Sequence, residues 1–376
     1  MKKLKHITAV VCRLLFGAVF LFSGFVKAVD PVGTSIKITD YLNAFSLEAL
    51  SGLALPAAFL LIMVEFTVGF NLFFAVHLKK TAWVAALFML VMTPITLYLA
   101  IANPVSDCGC FGDAIVLTNW QTFWKNVILD AVLVALFLTM KDEHPWLSEW
   151  ASWVVTLIPV GVVLGVGLYS YRHLPVMDFR PYKVGNSLKA GMAIPEGAPT
   201  DEYKVSFIYE KDGQRREFTM ENYPWNDSTW VFVEQKSELI RKGYVPPIHD
   251  FTMETPDGDD ITEDVLNRDG YTLLVVCSRL EKSEAGHWKE LESLRKTAER
   301  NGVPMTGMTA TYTDEVEAYR RANRIQIPFV ATDEITLKTI IRSNPGLVLL
   351  KGDTVAAKWH YNDFPTAEEL NRIIKR

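Results

Sequence analysis

The chain has 376 residues, of which 49% are hydrophobic, and its formal net charge is -5. This length exceeds one ordinary domain, and the high hydrophobic content indicates a protein that lies partly in a membrane. The charge gives no support to nucleic-acid binding, so we expect no nucleic-acid partner.

Five apolar segments in the first half of the chain approach the length of about twenty residues that a helix needs to cross a bilayer. After Arg172 the apolar runs shorten and the charge rises. We therefore predict five membrane-spanning helices, followed by a soluble domain of roughly 200 residues. The predicted spans are Ile7 to Val29, Leu53 to Val76, Ala82 to Ala102, Phe123 to Met140 and Ala151 to Tyr171.

The distribution of lysine predicts the orientation of these helices. Lysines precede the first span, and Lys79 and Lys80 lie between the second and third spans. Such connections stay in the cytoplasm. Residues 30–50 and 103–120 and everything after the fifth span are then expected outside, and residues 141–150 inside. The predicted location is the cytoplasmic (inner) membrane, with several passes and a periplasmic carboxyl-terminal domain.

Half of the four cysteines lie in one polar loop between the third and fourth spans, Asp107-Cys108-Gly109-Cys110-Phe111-Gly112-Asp113. Two cysteines separated by one glycine can close a small, strained disulfide, which exchanges readily. Cys108 and Cys110 are therefore the candidate redox pair. The alternative is that they only staple a tight turn. We expect no metal site, because no histidine lies nearby and two thiolates fill half of a tetrahedral shell.

Polar side chains lie within the predicted spans, and the candidates among them are Glu65 in the second span and Asn126 and Asp130 in the fourth. A carboxylate in hydrocarbon is costly unless it is paired, hydrated or protonated. Asn126 and Asp130 are one turn apart, so they project from the same helix face. A proton path, a quinone site, a small polar pocket and a hydrogen-bonded pair that fixes helix register all remain open. We expect no cofactor, unless a quinone binds at such a site.

The membrane half contains a pattern of residues that ends in the cysteine loop: Arg13, Gly17, Phe20, Gly24, Lys27, Asp30-Pro31, Gly33, Glu65, Gly69 and Cys108-Gly109-Cys110-Phe111-Gly112. This pattern resembles the DoxX superfamily of four-helix membrane proteins, and the cysteine loop with Asn126 resembles its MauE-like branch, named for a methylamine utilisation accessory protein. The resemblance implies a helical bundle, over about residues 8–140, that is linked to periplasmic disulfide handling or respiratory electron flow.

The soluble part begins with a linker and a small β-rich segment. Lys204 to Glu210 and Arg215 to Met220 flank the turn Lys211-Asp212-Gly213, which predicts a hairpin. Trp230 to Val233 adds a strand, and Ser237 to Lys242 is predicted as a short helical turn. The pattern assigns no function to this segment.

Residues 244–376 resemble the thioredoxin-like fold of the TlpA and peroxiredoxin branch. Ile248 to Met253, with Asp257-Gly258, resembles its entry hairpin, and Tyr271 to Val276 its first central strand. Ser343 to Leu350 resembles the strand after the cis-proline, with Pro345 as that proline. The resemblance implies a fold that binds peptides beside this proline.

The active site departs from this family. Glu281 and Glu284 fall where the paired cysteines of the family would lie, and a carboxylate cannot supply a thiolate. Cys277 falls in or just after the buried strand, where cysteine usually behaves as a small hydrophobe. The domain is therefore interpreted as a redox-inactive thioredoxin-like module that keeps a binding role.

The fold class is thus an α-helical membrane bundle, a four-helix core plus a fifth transmembrane helix, followed by an α/β thioredoxin-like domain. The first hypothesis is an accessory protein of envelope thiol-disulfide or respiratory redox processes that acts on periplasmic clients. If the protein is an enzyme, we expect a thiol-disulfide oxidoreductase. The alternatives are a non-enzymatic envelope assembly or scaffold factor and a quinone-binding or small-molecule-binding membrane protein. The predicted domains are residues 1–145 (membrane bundle), 146–172 (fifth helix), 173–243 (linker and β-rich segment) and 244–376 (thioredoxin-like).

Overall fold

The computed structural model describes residues 2–105, 107–140 and 146–375. Its first half is a bundle with five helices long and apolar enough to cross a membrane, which confirms the predicted spans. Part of the connection expected on the inner side, residues 141–145, lies outside the described residues. The helices of this half are α1 (Lys2–Val29), α2 (Pro31–Ala44), α3 (Ala54–Phe73), α4 (Leu78–Ala102), α5 (Asn119–Thr139) and α6 (Glu149–Arg172).

Helices α1 and α3 approach each other closely because glycines line their contact. A Cβ atom built at Gly24 would lie 2.6 Å from the backbone nitrogen of Phe66, and one at Gly69 would lie 2.4 Å from the backbone nitrogen of Leu21. Small residues permit this kind of packing between membrane helices. The close contact sets the distance between the polar side chains that the two helices carry.

Helix α2 occupies the segment that the sequence analysis treated only as an outer loop. Asp30 caps its amino terminus, accepting a hydrogen bond from the backbone nitrogen of Gly33 at 2.8 Å, and Pro31 is its first residue. A capping aspartate followed by proline is a strong signal for the start of a helix. The sequence therefore contained the information for this helix.

The β-rich segment forms a three-stranded antiparallel sheet of order β2-β1-β3. The predicted hairpin is confirmed, and its turn residues Asp212 and Gly213 both have positive φ. The helical turn predicted at Ser237 to Lys242 is wrong, because β3 runs on through these residues and Ser237 pairs with Val205. Pairing along β1 overrides the local helical preference. The strands are β1 (Glu202–Lys211), β2 (Gln214–Thr219) and β3 (Val231–Arg241).

The soluble domain is built on a five-stranded sheet of order β6-β5-β4-β7-β8. The β4-β5 and β5-β6 pairs are parallel, and the β4-β7 and β7-β8 pairs are antiparallel. A cis peptide bond joins Asn344 to Pro345 immediately before β7. This topology confirms the predicted thioredoxin-like fold. The strands are β4 (Tyr271–Cys277), β5 (Met305–Thr309), β6 (Phe329–Ala331), β7 (Gly346–Lys351) and β8 (Thr354–His360).

Helices cover both faces of this sheet, because alternate residues of the strands enter two separate cores. Leu273 and Val275 of β4 pack on one side, and Leu274 and Val276 pack on the other. The helices of this half are α7 (Leu188–Met192), α8 (Thr262–Leu266), α9 (Trp288–Arg300), α10 (Thr313–Asn323), α11 (Glu334–Ile340) and α12 (Ala367–Ile374).

The soluble core also uses residues that come long before position 244. Tyr182 and Leu188 are buried in it, and the backbone nitrogen of Leu188 donates to the carbonyl oxygen of Asp353 at 2.8 Å. The three-stranded sheet is inserted between these residues and the rest of the soluble domain. The two ends of the inserted segment are adjacent, because the backbone nitrogen of Tyr244 donates to the carbonyl oxygen of Pro199 at 2.7 Å.

Candidate functional site

The cysteine loop between α4 and α5 is folded into a turn by its glycines. Gly109 and Gly112 have φ values of +65° and +50°, a region that favours glycine, and the backbone nitrogen of Gly112 donates to the carbonyl oxygen of Gly109 at 3.0 Å. The carboxylate of Asp107 accepts from the backbone nitrogen of Gly109 at 2.9 Å and lies 2.7 Å from Nζ of Lys37 on α2. The turn is therefore held to a neighbouring helix.

This turn brings the two sulfur atoms to 3.0 Å from each other, as free thiols. Cys108 is buried, and Cys110 is partly exposed. The hydrogen bond with Cys108 lowers the pKa of Cys110 to about 6, and the nearby charges of Lys125 and Lys27 act in the same direction against the effect of burial. The same hydrogen bond, with burial, raises the pKa of Cys108 well above its ordinary value. Cys110 is therefore the thiol of the pair that loses its proton more readily, and Cys108 the one that retains it.

The buried ion pair of the bundle holds the backbone of this loop. Nζ of Lys27 lies 2.7 Å from Oε2 of Glu65, and both side chains are about 6% exposed. The hydroxyl of Ser23 donates to the same oxygen at 2.8 Å, or to the carbonyl oxygen of Cys110 at 2.7 Å. Lys27 also donates to this carbonyl oxygen, at 2.6 Å. Glu65 thus has the partner that its position in a span requires.

Two further residues contact the cysteine loop from neighbouring helices. The hydroxyl of Tyr41 on α2 donates to the carbonyl oxygen of Cys108, and burial raises the pKa of Tyr41. Nζ of Lys125 on α5 lies 4.8 Å from the centre of the Phe111 ring. Neither residue is marked by a motif in the sequence. Recognition of α2 would have placed Lys37 and Tyr41 one turn apart on one face.

The other polar residues of the spans form a separate group. The amide nitrogen of Asn126 donates to the hydroxyl of Thr96 at 3.1 Å, and the hydroxyl of Thr93 donates to the carboxylate of Asp130 at 2.8 Å. These bonds join α5 to α4, whereas Glu65 joins α3 to α1. The geometry therefore favours the interpretation that Asn126 and Asp130 fix the register of α5 against α4.

The residues at the degenerate thioredoxin site lie beside the cis peptide bond. The backbone nitrogen of Glu284 donates to the carbonyl oxygen of Asn344 at 3.0 Å, and the carboxylate of Glu281 accepts from the hydroxyl of Thr311 at 3.2 Å. Cys277 ends β4 with no exposed surface, and burial raises its pKa. Glu284 therefore lies beside the cis peptide bond through its backbone, the carboxylate of Glu281 is held by Thr311, and Cys277 of this domain is buried.

Arg342, three residues before Pro345, joins the soluble domain to the membrane bundle. Its guanidinium lies 2.8 Å from the carboxylate of Asp30 and 3.4 Å from that of Asp113, and its side chain is 8% exposed. The charge of Arg342 holds the pKa of Asp30 below its ordinary value, although burial opposes this. The cysteine loop, the start of α2 and the soluble domain therefore meet at one end of the bundle.

Comparison with known proteins agrees with the membrane architecture. Residues 5–140 match the family model described as Methylamine utilisation protein MauE. The membrane region is similar to the MauE family. This match spans the first five helices and contains the cysteine loop. Residues 203–242, which form the three-stranded sheet, match a domain of unknown function, DUF8463.

No curated protein matches the chain. Among solved structures, similarity is found to "a putative protein disulfide isomerase from Bacteroides thetaiotaomicron", with 15% identity and a TM-score of 0.27, over 34% of this chain and 82% of that one. The thioredoxin-like character of the soluble domain is carried by its own strand order and its cis peptide bond.

Proposed function

We propose that the protein is a thiol-disulfide exchange protein of the cytoplasmic membrane, with Cys108 and Cys110 as the redox pair on the periplasmic side. The observation that carries this proposal is the pair itself: two sulfurs 3.0 Å apart in a glycine turn, anchored by Lys27 of the bundle. A MauE-like membrane region joined to a thioredoxin-like domain supports a redox-related role.

The exchange begins with Cys110. Its thiolate attacks one sulfur of a client disulfide, a new bond forms between Cys110 and the client, and the second client sulfur leaves as a thiolate that takes up a proton. Cys108 then loses its proton and attacks the sulfur of Cys110, which closes the Cys108–Cys110 disulfide and releases the first client thiolate. The client disulfide is thereby reduced and the pair is oxidised, and a client dithiol runs the same steps in reverse.

The soluble domain contributes binding and no chemistry of its own. Glu281 and Glu284 stand where a second dithiol would be needed, and Cys277 is fully buried. The domain nevertheless lies against the cysteine loop through Arg342, so a client that it holds is close to the membrane thiols.

The proposal is tested by trapping mixed disulfides in intact cells. Cys108→Ser should accumulate a mixed disulfide between Cys110 and envelope proteins, because the resolving thiol is gone, whereas Cys110→Ser should not. Cys277→Ser is the matched control and should behave as the wild type. If the double replacement leaves the redox state of envelope thiols unchanged, the pair has no exchange function.

The same cells test the sidedness on which this function depends. A membrane-impermeant thiol reagent should reach Cys110 from the periplasm in whole cells. Labelling of Cys110 only after the cytoplasmic membrane is opened would place the pair on the inner side and remove the proposed role.

A scaffold function is the second candidate, and the two carboxylates at the thioredoxin site favour it. In that case removal of the soluble domain should abolish function while Cys108→Ser with Cys110→Ser should not. Since Tyr182 and Leu188 belong to the soluble core, the deletion should begin at residue 174.

A further inference from the structure

A long cavity lies in the wall of the membrane bundle, at the end away from the cysteine loop. It has a volume of about 410 Å³, and its floor is one face of α3, from Leu60 to Asn71. This face extends along about 16 Å of the helix. The first turns of α4 and α6 form the two sides. The cavity is therefore elongated along α3.

The walls of this cavity are apolar over most of their length and polar at one end. Leu60 and Val64 of α3 and Val160 of α6 line the apolar part. The polar end lies near the connection between α3 and α4, where Asn71 and Lys80 line the cavity. A ligand that matches both parts has a long apolar body and one polar head.

Asn71 offers a hydrogen-bond donor to such a ligand. Its side chain is only 5% exposed, and its amide oxygen accepts from the hydroxyl of Thr156 at 3.2 Å. Its amide nitrogen has no partner within residues 2–105, 107–140 and 146–375, and it is not sealed from the cavity, unlike Oγ1 of Thr67 and Nε2 of His77 in the same wall. A buried donor is costly without an acceptor, so this position suits a ligand carbonyl oxygen.

The charges at the polar end favour an anionic head. Helix α4 begins here, and its cap residue His77 makes no side-chain hydrogen bond to the first backbone N–H groups. Such a helix start attracts an anion. Lys80, in the first turn, lies 2.9 Å from Glu149, but these side chains are 62% and 73% exposed. An exposed pair contributes little, so the ammonium group of Lys80 is available to a phosphate.

The position of the cavity decides between the amphiphiles of a membrane. Helix α4 runs 25 residues from the cavity to the segment that holds the cysteine loop, which is about 37 Å. A quinone head at Lys80 therefore has no contact with Cys108 or Cys110 and could not accept their electrons directly. Phospholipids need no such contact, and basic pockets between membrane helices on the cytoplasmic side bind anionic lipid head groups.

We propose that this cavity binds one anionic phospholipid. One acyl chain lies along α3, an ester carbonyl accepts from Asn71, and the phosphate lies at the start of α4 beside Lys80. The bound lipid fills the space between α4 and α6. Because α6 connects the bundle to the soluble domain, the lipid stabilises the position of the fifth membrane helix. This site goes beyond the exchange function and does not depend on it.

The test is native mass spectrometry of the delipidated full-length protein in detergent, titrated with dioleoyl phosphatidylglycerol or dioleoyl phosphatidylcholine. The wild type should bind one phosphatidylglycerol several-fold more tightly than phosphatidylcholine. Val84→Trp places a large ring in the cavity and should abolish this binding. The matched control is Val134→Trp, at an exposed position of α5 outside the cavity, which should bind as the wild type does.

A second pair of variants tests the head-group contact without filling the cavity. Lys80→Gln should weaken phosphatidylglycerol binding about fivefold, because one lysine near a lipid head group contributes about 1 kcal/mol. Lys79→Gln removes the same charge at the neighbouring residue, which does not line the cavity, and should have a smaller effect. Phosphatidylglycerol should also raise the melting temperature of the wild type and leave that of Val84→Trp unchanged.

Other results overturn the proposal. Equal binding of the two lipids, equal effects of Lys79→Gln and Lys80→Gln, or undiminished binding by Val84→Trp would show non-specific adsorption. A quinone that co-purifies with the wild type and is lost in Val84→Trp would assign the cavity to that ligand. A dimer that Val84→Trp converts to a monomer would assign it to a second copy of the chain. None of these results bears on the reaction of Cys108 and Cys110.

Discussion

Nζ of Lys27 lies 2.6 Å from the carbonyl oxygen of Cys110, and the same nitrogen lies 2.7 Å from the carboxylate of Glu65. A charge buried in the first membrane helix thus contacts both the interior of the bundle and the backbone of the cysteine loop. The position of Cys108 and Cys110 therefore depends on the ion pair between Lys27 and Glu65.

Lys27→Met should destabilise the protein by about 3–5 kcal/mol, because it leaves the carboxylate of Glu65 buried without its partner. The free energy of unfolding in mild detergent measures this. The double variant Lys27→Met with Glu65→Met should recover much of the loss, since no buried charge remains unpaired, yet the loop should stay unanchored and Cys110 should react more slowly with a peptide disulfide. Equal stability of the single variant and wild type would contradict the ion pair.

The alkylation rate of the reduced pair should depend on pH through the Cys110 thiolate. Because the pKa of Cys110 is lowered to about 6, the rate should rise between about pH 5 and pH 7 and then level off. Iodoacetamide labelling followed by mass spectrometry measures it. Cys108→Ser removes the thiol that lowers this pKa, so the midpoint should move to higher pH. A wild-type midpoint near that of an ordinary thiol would show that the Cys108 contact has no such effect.

Arg342→Met should loosen the joint between bundle and soluble domain, because both Asp30 and Asp113 lose their partner in a poorly solvated site. Limited proteolysis of the connection after Arg172 should become faster by several-fold. Arg215→Met removes an exposed ion pair with Glu210 and serves as the control, since exposed pairs contribute little. Unchanged proteolysis in Arg342→Met would mean that other contacts fix the joint.

Gly24→Ala should separate α1 from α3, because the new Cβ would lie 2.6 Å from a backbone atom that cannot move aside. A loss of about 1–3 kcal/mol is expected from this overpacking. Gly161→Ala is the matched control: this glycine also lies in a membrane helix, and nothing lies within 4 Å of its added Cβ. Thermal unfolding in detergent should distinguish the two variants, and equal melting temperatures would contradict the close contact.

Features that depend on the residues of a single segment can be predicted from the sequence. Five apolar stretches identify the five spans, and the resemblance of Ser343 to Leu350 to the thioredoxin-like fold identifies the strand β7 and the cis bond that precedes it. The partner of Glu65 could not be deduced in the same way, because Lys27 lies on another helix and only the glycine contact of α1 and α3 brings them together. The contact of Arg342 with Asp30 joins residues 312 positions apart, and no local pattern marks it.

Two differences from the predictions have identifiable causes. Helix α2 begins at Asp30-Pro31, so its start is marked in the sequence, although the apolar pattern alone predicts a loop there. The segment from Ser237 to Lys242 has no such signal: it is extended because a neighbouring strand pairs with it. The start of α2 can be predicted from its capping residues, whereas the extended conformation of Ser237 to Lys242 depends on the tertiary structure.

The segment that forms the three-stranded sheet begins and ends at adjacent points of the structure, because a backbone hydrogen bond joins Pro199 to Tyr244. A segment anchored in this way behaves as an accessory module: its excision, with a short linker across the gap, preserves the path of the surrounding polypeptide. Variants of this architecture can accordingly gain, lose or exchange that module without rebuilding either the bundle or the thioredoxin-like domain.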